Sequence, residues 1–437
     1  IQTHLQLDAA FADVTGGEMR LTQGDWGRAT VERINGGEVR GPVTRELTLV
    51  GMPNSAFWTS FDITSQFFSI GLEGVTLAQL NDDFPTAGFV GADADPSGSA
   101  NIRFHQENGS WIPFSNVTDT LPVWEGIQVT VPVRETYVTE FTGMLPATDA
   151  TYDVTATSTG INWLGNANNS GLDLHKFMEE IAIENSVKCW NTNALRWDLF
   201  VDGFGTNSNG YVEPNQVCQI PFDASQSIPF ANGCETTSLE RDNLESDVNP
   251  LARLTMGLSN ETGFSDEALL VVTDSASFGL EFAEDAPNHF GTVDACDLYF
   301  KHGGMRYGIS NVGFEGKSLL EAEIMYAGSR PIDNAFTVEI LDLDLGDYCA
   351  YVQWDGTDTQ VAMEEGMTKE FSVDGNANNT DILLGTLVIV PPLRVQATST
   401  ACEAEAFAQV AVTPGGDGPW DIELTDAEGV AFEGTLS

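Results

Sequence analysis

The sequence predicts an all-β chain, built as tandem β-sandwich or jelly-roll-like modules with one short amphipathic helix. Three observations predict it. Apolar residues come in short alternating or continuous runs, at 46–50, 127–133, 269–273, 337–341 and 383–390, bounded by Gly, Asn, Asp and Pro. Glycine is abundant, 43 of 437 residues, and supplies turns to many short strands. A combination of aromatic hairpin and proline-ended strand occurs twice.

The helix is expected at 172–185. Leu174, Phe177, Met178 and Ile181 recur at i, i+3, i+4 and i+7 and make one apolar face, with Ser170 as the expected N-cap. A weaker helical turn is expected near 75–80.

The repeat organises the first half of the chain. One copy opens on Leu49-Val50-Gly51-Met52-Pro53-Asn54, the other on Trp163-Leu164-Gly165-Asn166-Ala167-Asn168. Phe104, Trp111 and Phe114 then match Trp190, Trp197 and Phe200 at a constant offset, each trio bracketing a polar turn. Each copy closes on an alternating strand ending in proline, at Pro132 or Pro221. The expected units are a β-rich remainder at 1–45, related β modules at 46–150 and 151–248, and a third β-sandwich at 249–392. Pro391-Pro392 is a stiff break. After it, 393–437 starts a new unit, too short to close a β-sandwich of about 100 residues. An opening at Ile1 without methionine and a last segment inside a strand predict a portion of a longer polypeptide.

Composition bounds the partners. Hydrophobic residues at 42% and aromatics at 10% are ample for packed cores. There are 65 Asp+Glu against 18 Lys+Arg, a formal net charge of −47, and no basic stripe. Phosphate backbones and anionic membrane surfaces need clustered cations, so neither is an expected partner. The scattered carboxylates fit a solvated surface that resists aggregation, compatible with salty or calcium-rich surroundings. No run approaches about 18 apolar residues, so no transmembrane segment is expected.

No nucleophile elbow, HExxH, Walker loop or dinucleotide fingerprint occurs, and no catalytic site is expected. His175 and Glu179 at i, i+4 read as a polar helix edge, and Asp342 with Asp344 as the wet face of a half-buried strand. Calcium is the best cofactor candidate. Asp374, Asn376, Asn378 and Asp381 offer oxygens at close spacing with Gly375 for the turn, though the distal bidentate glutamate of a full calcium loop is absent. Asp93 and Asp95 beside Gly91 form a weaker second set. Six cysteines include no CxxC pair. Cys189 and Cys218 fall on strands that pair by the repeat reading. They form a cross-strand disulfide if directly opposite, and are otherwise buried thiols.

Trp163-Leu164-Gly165-Asn166, Cys189-Trp190-Asn191 and Val212-Glu213-Pro214-Asn215-Gln216 together resemble a recurring element of large multi-domain Bacteroidota surface proteins. The 252–390 stretch is similar to the module that usually follows, through Asp266-Glu267, Asp294-Ala295 and Leu343-Asp344-Leu345-Gly346-Asp347-Tyr348. Ala401-Cys402-Glu403 and Gly415-Gly416-Asp417-Gly418-Pro419-Trp420 resemble the opening of the PKD-like or immunoglobulin-like repeats of the same proteins. Ala167 where proline is usual, Cys218 where an aromatic is usual, and Trp420 for tyrosine depart from the pattern.

The resemblance implies export by the type IX secretion system and an extracellular or cell-surface location. It also implies O-glycosylation at Asp-Ser/Thr-apolar triplets, which Thr120 and Ser275 would carry. The expected role is a non-catalytic structural or adhesive cell-surface protein, part of an extracellular fibre. Expected partners are other surface or secretion-system proteins, copies of itself, or glycans. The alternative is a carbohydrate- or protein-binding accessory region of an enzyme, with Trp111 or Trp354 stacking on sugars.

Overall fold

A computed structural model describes residues 38–50, 63–229 and 250–391, apart from short interruptions of which 288–295 and 373–380 are the longest. Outside these ranges it describes only strand backbone within 4–34, 235–236 and 394–436. The described residues are all-β with two short helices.

The first module has two sheets over one core. Its strands are β1 (Val43–Val50), β2 (Ile63–Phe68), β3 (Ile102–His105), β4 (Trp111–Pro113), β5 (Ile127–Pro132) and β6 (Thr136–Gly143), with helix α1 at Leu77–Asn81. One sheet runs β4-β3-β5-β2; the other pairs β6 with β1, and β1 with Met19–Leu21. In β5 the alternation Ile127, Val129, Val131 turns every second side chain into the core. Phe68, Leu47, Phe141, Leu77 and Leu80 meet it there. Burying each such side chain stabilises by roughly 1.5–3 kcal/mol. The core begins earlier than the expected boundary at 46, because it takes in Val39 and Val43.

The outer edge of β6 would present unpaired backbone groups, a template for adding another strand. Helix α1 and the chain beside it cover that edge. Gln79 acts as a surrogate peptide group: its Nε2 donates to the Thr142 carbonyl (3.1 Å) and its Oε1 accepts from Thr142 N (2.6 Å). Glu140 N donates to Asp83 (3.3 Å), and Met144 pairs with Glu73 through two backbone bonds.

The second module repeats the first sheet. Its strands are β7 (Ile161–Gly165), β8 (Val187–Asn191), β9 (Arg196–Val201), β10 (Phe204–Gly205) and β11 (Val217–Pro221). Their order, β7-β11-β8-β9-β10, reproduces β2-β5-β3-β4 with one strand added. The counterpart of β7 is therefore β2. The Leu49-Val50 motif ends β1 in the other sheet, so the expected correspondence of opening motifs does not hold, and 51–54 lie outside the described residues.

The hairpins match differently as well. Trp111 pairs with His105, and Trp197 with Trp190. The first turn is one residue shorter, so His105, not Phe104, takes the place of Trp190. A one-residue slip turns a side chain to the other face.

Helix α2 (Leu174–Glu180) buries Leu174, Phe177 and Met178, as its periodicity predicts. It is shorter than expected because Leu172 belongs to a strand, Gly171–Asp173. Its N-cap is Asp173, whose carboxylate accepts from Lys176 N (3.3 Å). Ser170 lies outside the described residues.

The third module is one eleven-stranded sheet curled over a single core. Its strands are β12 (Ala252–Asn260), β13 (Ser265–Val272), β14 (Ala286–Pro287), β15 (Cys296–His302), β16 (Met305–Val312), β17 (Leu320–Gly328), β18 (Ala335–Asp344), β19 (Cys349–Trp354), β20 (Val361–Ala362), β21 (Thr368–Ser372) and β22 (Ile382–Val390). The order is β20-β19-β22-β17-β15-β16-β13-β12-β18-β21, with β14 beside β16. Register shifts at Thr255/Met256 and Ile324/Met325 bend the sheet. The edge strands β20 and β21 are consecutive in sequence. Met363 N bonds to Ala350 O and Gly366 N to Ile340 O, and Trp354 meets Phe371 edge-on. The result is sandwich-like, with both layers drawn from one sheet. After Pro391, the described backbone forms two hairpins, Arg394–Cys402 with Glu405–Thr413 and Trp420–Leu424 with Phe432–Leu436.

Replacing Gln79 by Ala should uncover the β6 edge. The expected outcome is a loss of about 1 kcal/mol in denaturant unfolding together with concentration-dependent self-association in analytical ultracentrifugation.

Candidate functional site at the module seams

Two buried seams join the three modules, and the strands of the second module supply side chains to both. At the first seam, equivalent positions of the two repeated sheets face each other. Phe67 and Trp163, His105 and Trp190, and Trp111 and Trp197 converge into one aromatic cluster with Val217. Phe67 sits 4.7 Å from Trp163 and 5.4 Å from Trp190, and Trp163 lies edge-on to Trp111 at 4.8 Å. These offset and edge-to-face arrangements suit the ring quadrupoles.

Two aromatic nitrogens in the seam are accommodated without charge. Trp190 Nε1 donates to Gln66 (3.1 Å), and burial holds His105 neutral by lowering its pKa to about 4. The backbones also join: Gly126 N donates to Trp163 O (2.9 Å) and Gly165 N to Trp124 O (2.7 Å). Gly165 is required here, since a Cβ would lie 1.9 Å from the Ser69 side chain.

The second seam sets β9 and β10 against β13, β14 and β16. Leu199, Val201 and Phe204 pack on Leu269, Val271, Ala286 and Ile309. Gly308 permits the approach, because a Cβ there would lie 2.1 Å from Leu199 Cδ1. The run Ala268-Leu269-Leu270-Val271-Val272 does not alternate because β13 is buried on both faces. Ala268, Leu270 and Val272 fill the third core, while Leu269 and Val271 fill the seam.

Charged groups cross this second seam. Arg196 Nη1 donates to the Ser265 carbonyl (3.2 Å) and to its hydroxyl, while Arg196 Nε lies 3.4 Å from Asp198 Oδ1. Asn191 also donates to Asp198 (3.2 Å). Asp198 is 2% exposed, and burial raises its pKa to about 7 against the pull of Arg196 and Asn191. Asp266 accepts from Leu298 N (2.7 Å), which sets it beside Asp297. Both carboxyls are half-buried; desolvation raises them above the usual range, and Asp266 raises Asp297 further. Burial lowers Lys188 to about 8, with Asp297 opposing.

Of the calcium set, Asp381 is taken by the protein's own cations. Lys301 Nζ lies 3.3 Å away, and Arg306 donates to the other oxygen. Burial tends to raise the Asp381 pKa, but the Tyr299 hydroxyl, Arg306 and Lys301 outweigh it and hold it low. Asp374, Asn376 and Asn378 lie outside the described residues. In the second set, Asp93 accepts from Thr86 N (2.8 Å) and Asp95 from Ser97 N (3.1 Å), so both carboxylates stitch their own loop. Among the described residues no group of three or more His, Cys, Asp or Glu is placed to hold a metal ion.

Cys189 and Cys218 are directly opposite on β8 and β11 and form a disulfide, with Cα atoms 3.9 Å apart. The row Leu164–Cys218–Cys189–Asp198 corresponds to Phe68–Ile127–Phe104–Ile112 in the first module. The disulfide thus replaces an apolar cross-strand pair, and a buried carboxyl replaces an isoleucine. Thr120 is exposed, but its neighbours are fixed: Asp119 accepts from Ser115 N and Asn116 N, and Leu121 is buried. Ser275 lies outside the described residues. Asp342 pairs with Arg253 (3.5 Å) and Asp344 accepts from Gly346 N (3.2 Å). Trp354 is buried in the third core and Trp111 packs in the first seam, so neither ring is presented as a free platform.

The charged residues of the second seam escaped sequence reading. The available signal was Arg196-Trp197-Asp198, two charges flanking an aromatic within a strand of a chain poor in cations. No family model, no curated protein and no solved structure matches the chain.

Two substitutions test this anatomy. Trp190→Ala should cost about 3–5 kcal/mol in denaturant unfolding, as removal of a buried aromatic does. Cys189→Ser with Cys218→Ser should cost about 2–4 kcal/mol. Intact-mass analysis of the alkylated native chain should show these two thiols unmodified until reduction.

Proposed function

We propose that the chain is a non-catalytic structural or adhesive part of a secreted cell-surface protein, working in an extracellular fibre or similar assembly. One observation carries the reading: both seams are filled by apolar side chains and joined by hydrogen bonds, as module interiors are. Modules linked this way transmit force and position instead of moving as beads on linkers. The Cys189–Cys218 disulfide fits an oxidising compartment. The net charge of −47 fits a surface that stays solvated and avoids nonspecific association. The resemblance to Bacteroidota surface proteins supports type IX export, with other surface proteins or further copies of the chain as partners. The carbohydrate-binding alternative loses support with the burial of Trp354 and the packing of Trp111.

Pulling the chain from its ends in an optical trap tests the mechanical reading. Fused modules should yield together above the force that extends a flexible linker. Independent low-force opening of each module would contradict it. Electron microscopy of the native source should show elongated assemblies, and purely monomeric particles would remove the fibre from the proposal.

A further inference from the structure

We infer that residues 4–50 form two coils of a three-sided parallel β-solenoid, and that the free end of this stack docks against the same end of a second copy of the chain.

The strand pairing requires the coils. Three consecutive strands, His4–Asp8, Phe11–Asp13 and Met19–Leu21, pair in order with the next three, Thr30–Ile34, Glu38–Arg40 and β1. All three pairings are parallel. Leu5 stands against Val31, Ala12 against Val39 and Met19 against Val43, offsets of 26, 27 and 24 residues. A parallel pair cannot be closed by a tight turn. Three in succession at a nearly constant offset make the chain wind, with three strands on each turn. The hairpin of Gln23–Gly24 with Gly27–Arg28 lies between the two coils. Among the described residues, the other parallel pairing of named strands is β13 with β16.

The two ends of the stack differ. At the second coil, β1 is covered on its far side by β6, and Val39 and Val43 enter the first core. At the first coil, no strand among the described residues lies on the outer side of His4–Asp8, Phe11–Asp13 or Met19–Leu21. Three short edges therefore present backbone N–H and C=O groups along one rim. Proline, lysine or a covering segment ordinarily blunts such an edge. β4 carries Pro113, and Gln79 covers the edge of β6. The three edge strands of the first coil contain neither proline nor lysine.

Charge selects the partner. With 65 acidic residues against 18 cations, two copies repel each other over most of their surface. Residues 1–45 differ, with five arginines against six acidic residues. The coils are thus where two copies approach with least repulsion. A strongly basic partner would be drawn instead to the acidic remainder of the chain. A two-fold axis across the end reverses the sense in which the partner's coil winds. Every facing pair of edge strands is then antiparallel, the slightly more stable arrangement. Such a contact closes on itself, so it neither depends on the fibre proposed above nor builds one alone.

The test is sedimentation of the full chain across a concentration series, with hydrogen–deuterium exchange at both ends of the series. The expected result is a monomer–dimer equilibrium at micromolar concentrations that tightens as NaCl screens the like charge of the two copies. Protection of 4–21 should rise about tenfold or more from the dilute to the concentrated end, while that of β5 stays constant. Gln6→Pro and Leu7→Pro, made separately, locate the contact. Adjacent residues of a strand point their N–H groups to opposite sides, so one proline removes an outward donor and the other an inward one. One of the two variants should lose dimerisation while its unfolding transition, measured at the dilute end, matches the natural chain. A chain that stays monomeric throughout, or a dimer that neither proline affects, would overturn the inference. So would concentration-dependent protection elsewhere with none in 4–21. If neither variant keeps its fold, the exchange series on the natural sequence decides alone.

Discussion

The structure depends on one strand that has no solvent face along most of its length. In β9, Asp198 and Phe200 point into the second core, Trp197 joins the first seam, and Leu199 and Val201 join the second. A sheet face ordinarily meets one neighbour. Here the face of β9 is divided lengthwise between two, and the modules on either side are located by it. The glycine at 308 follows from that constraint, because it gives up its side chain to let Leu199 of β9 take the space.

Burial on this scale leaves polar groups with few options. At the first seam the solution is neutral: indole to amide, backbone to backbone, and a histidine without charge. At the second seam it is ionic, with Arg196 paired to Asp198 on one side and reaching across to Ser265 on the other. The neutral solution is disturbed by acid, which would charge His105, whereas the ionic one depends on its charge pairs. Buried ionic groups contribute little net stability when satisfied and cost several kcal/mol when a partner is lost.

Much of the fold was legible in the sequence because local rules governed it. Alternation marked β5, the i, i+3, i+4, i+7 pattern marked α2, and aromatic pairs marked both hairpins. The misreadings arose where a long-range contact decided the outcome. The β3 hairpin turn is one residue short, which moved His105 into the seam and Phe104 into the core, a difference that an aromatic count cannot reveal. The helix began later because its expected first turn was recruited as a strand. The unbroken run in β13 marked a strand without showing that both its faces are covered. Asp198 looked like an ordinary acidic residue in an acidic chain; only the partners that remove it from water set it apart.

The pairing of Cys189 with Cys218 has a consequence for how the second sheet is assembled. The two residues oppose each other only when β8 and β11 are in their native alignment. Displace either strand by one position and one thiol points to the opposite side of the sheet. Bond formation is thus a selection step, acting on chains that have already matched the two strands correctly and passing over those that have not. The first module reaches the same alignment with Phe104 and Ile127, where apolar contact tolerates error more readily. Of the two copies, the one placed between two neighbours carries the covalent check.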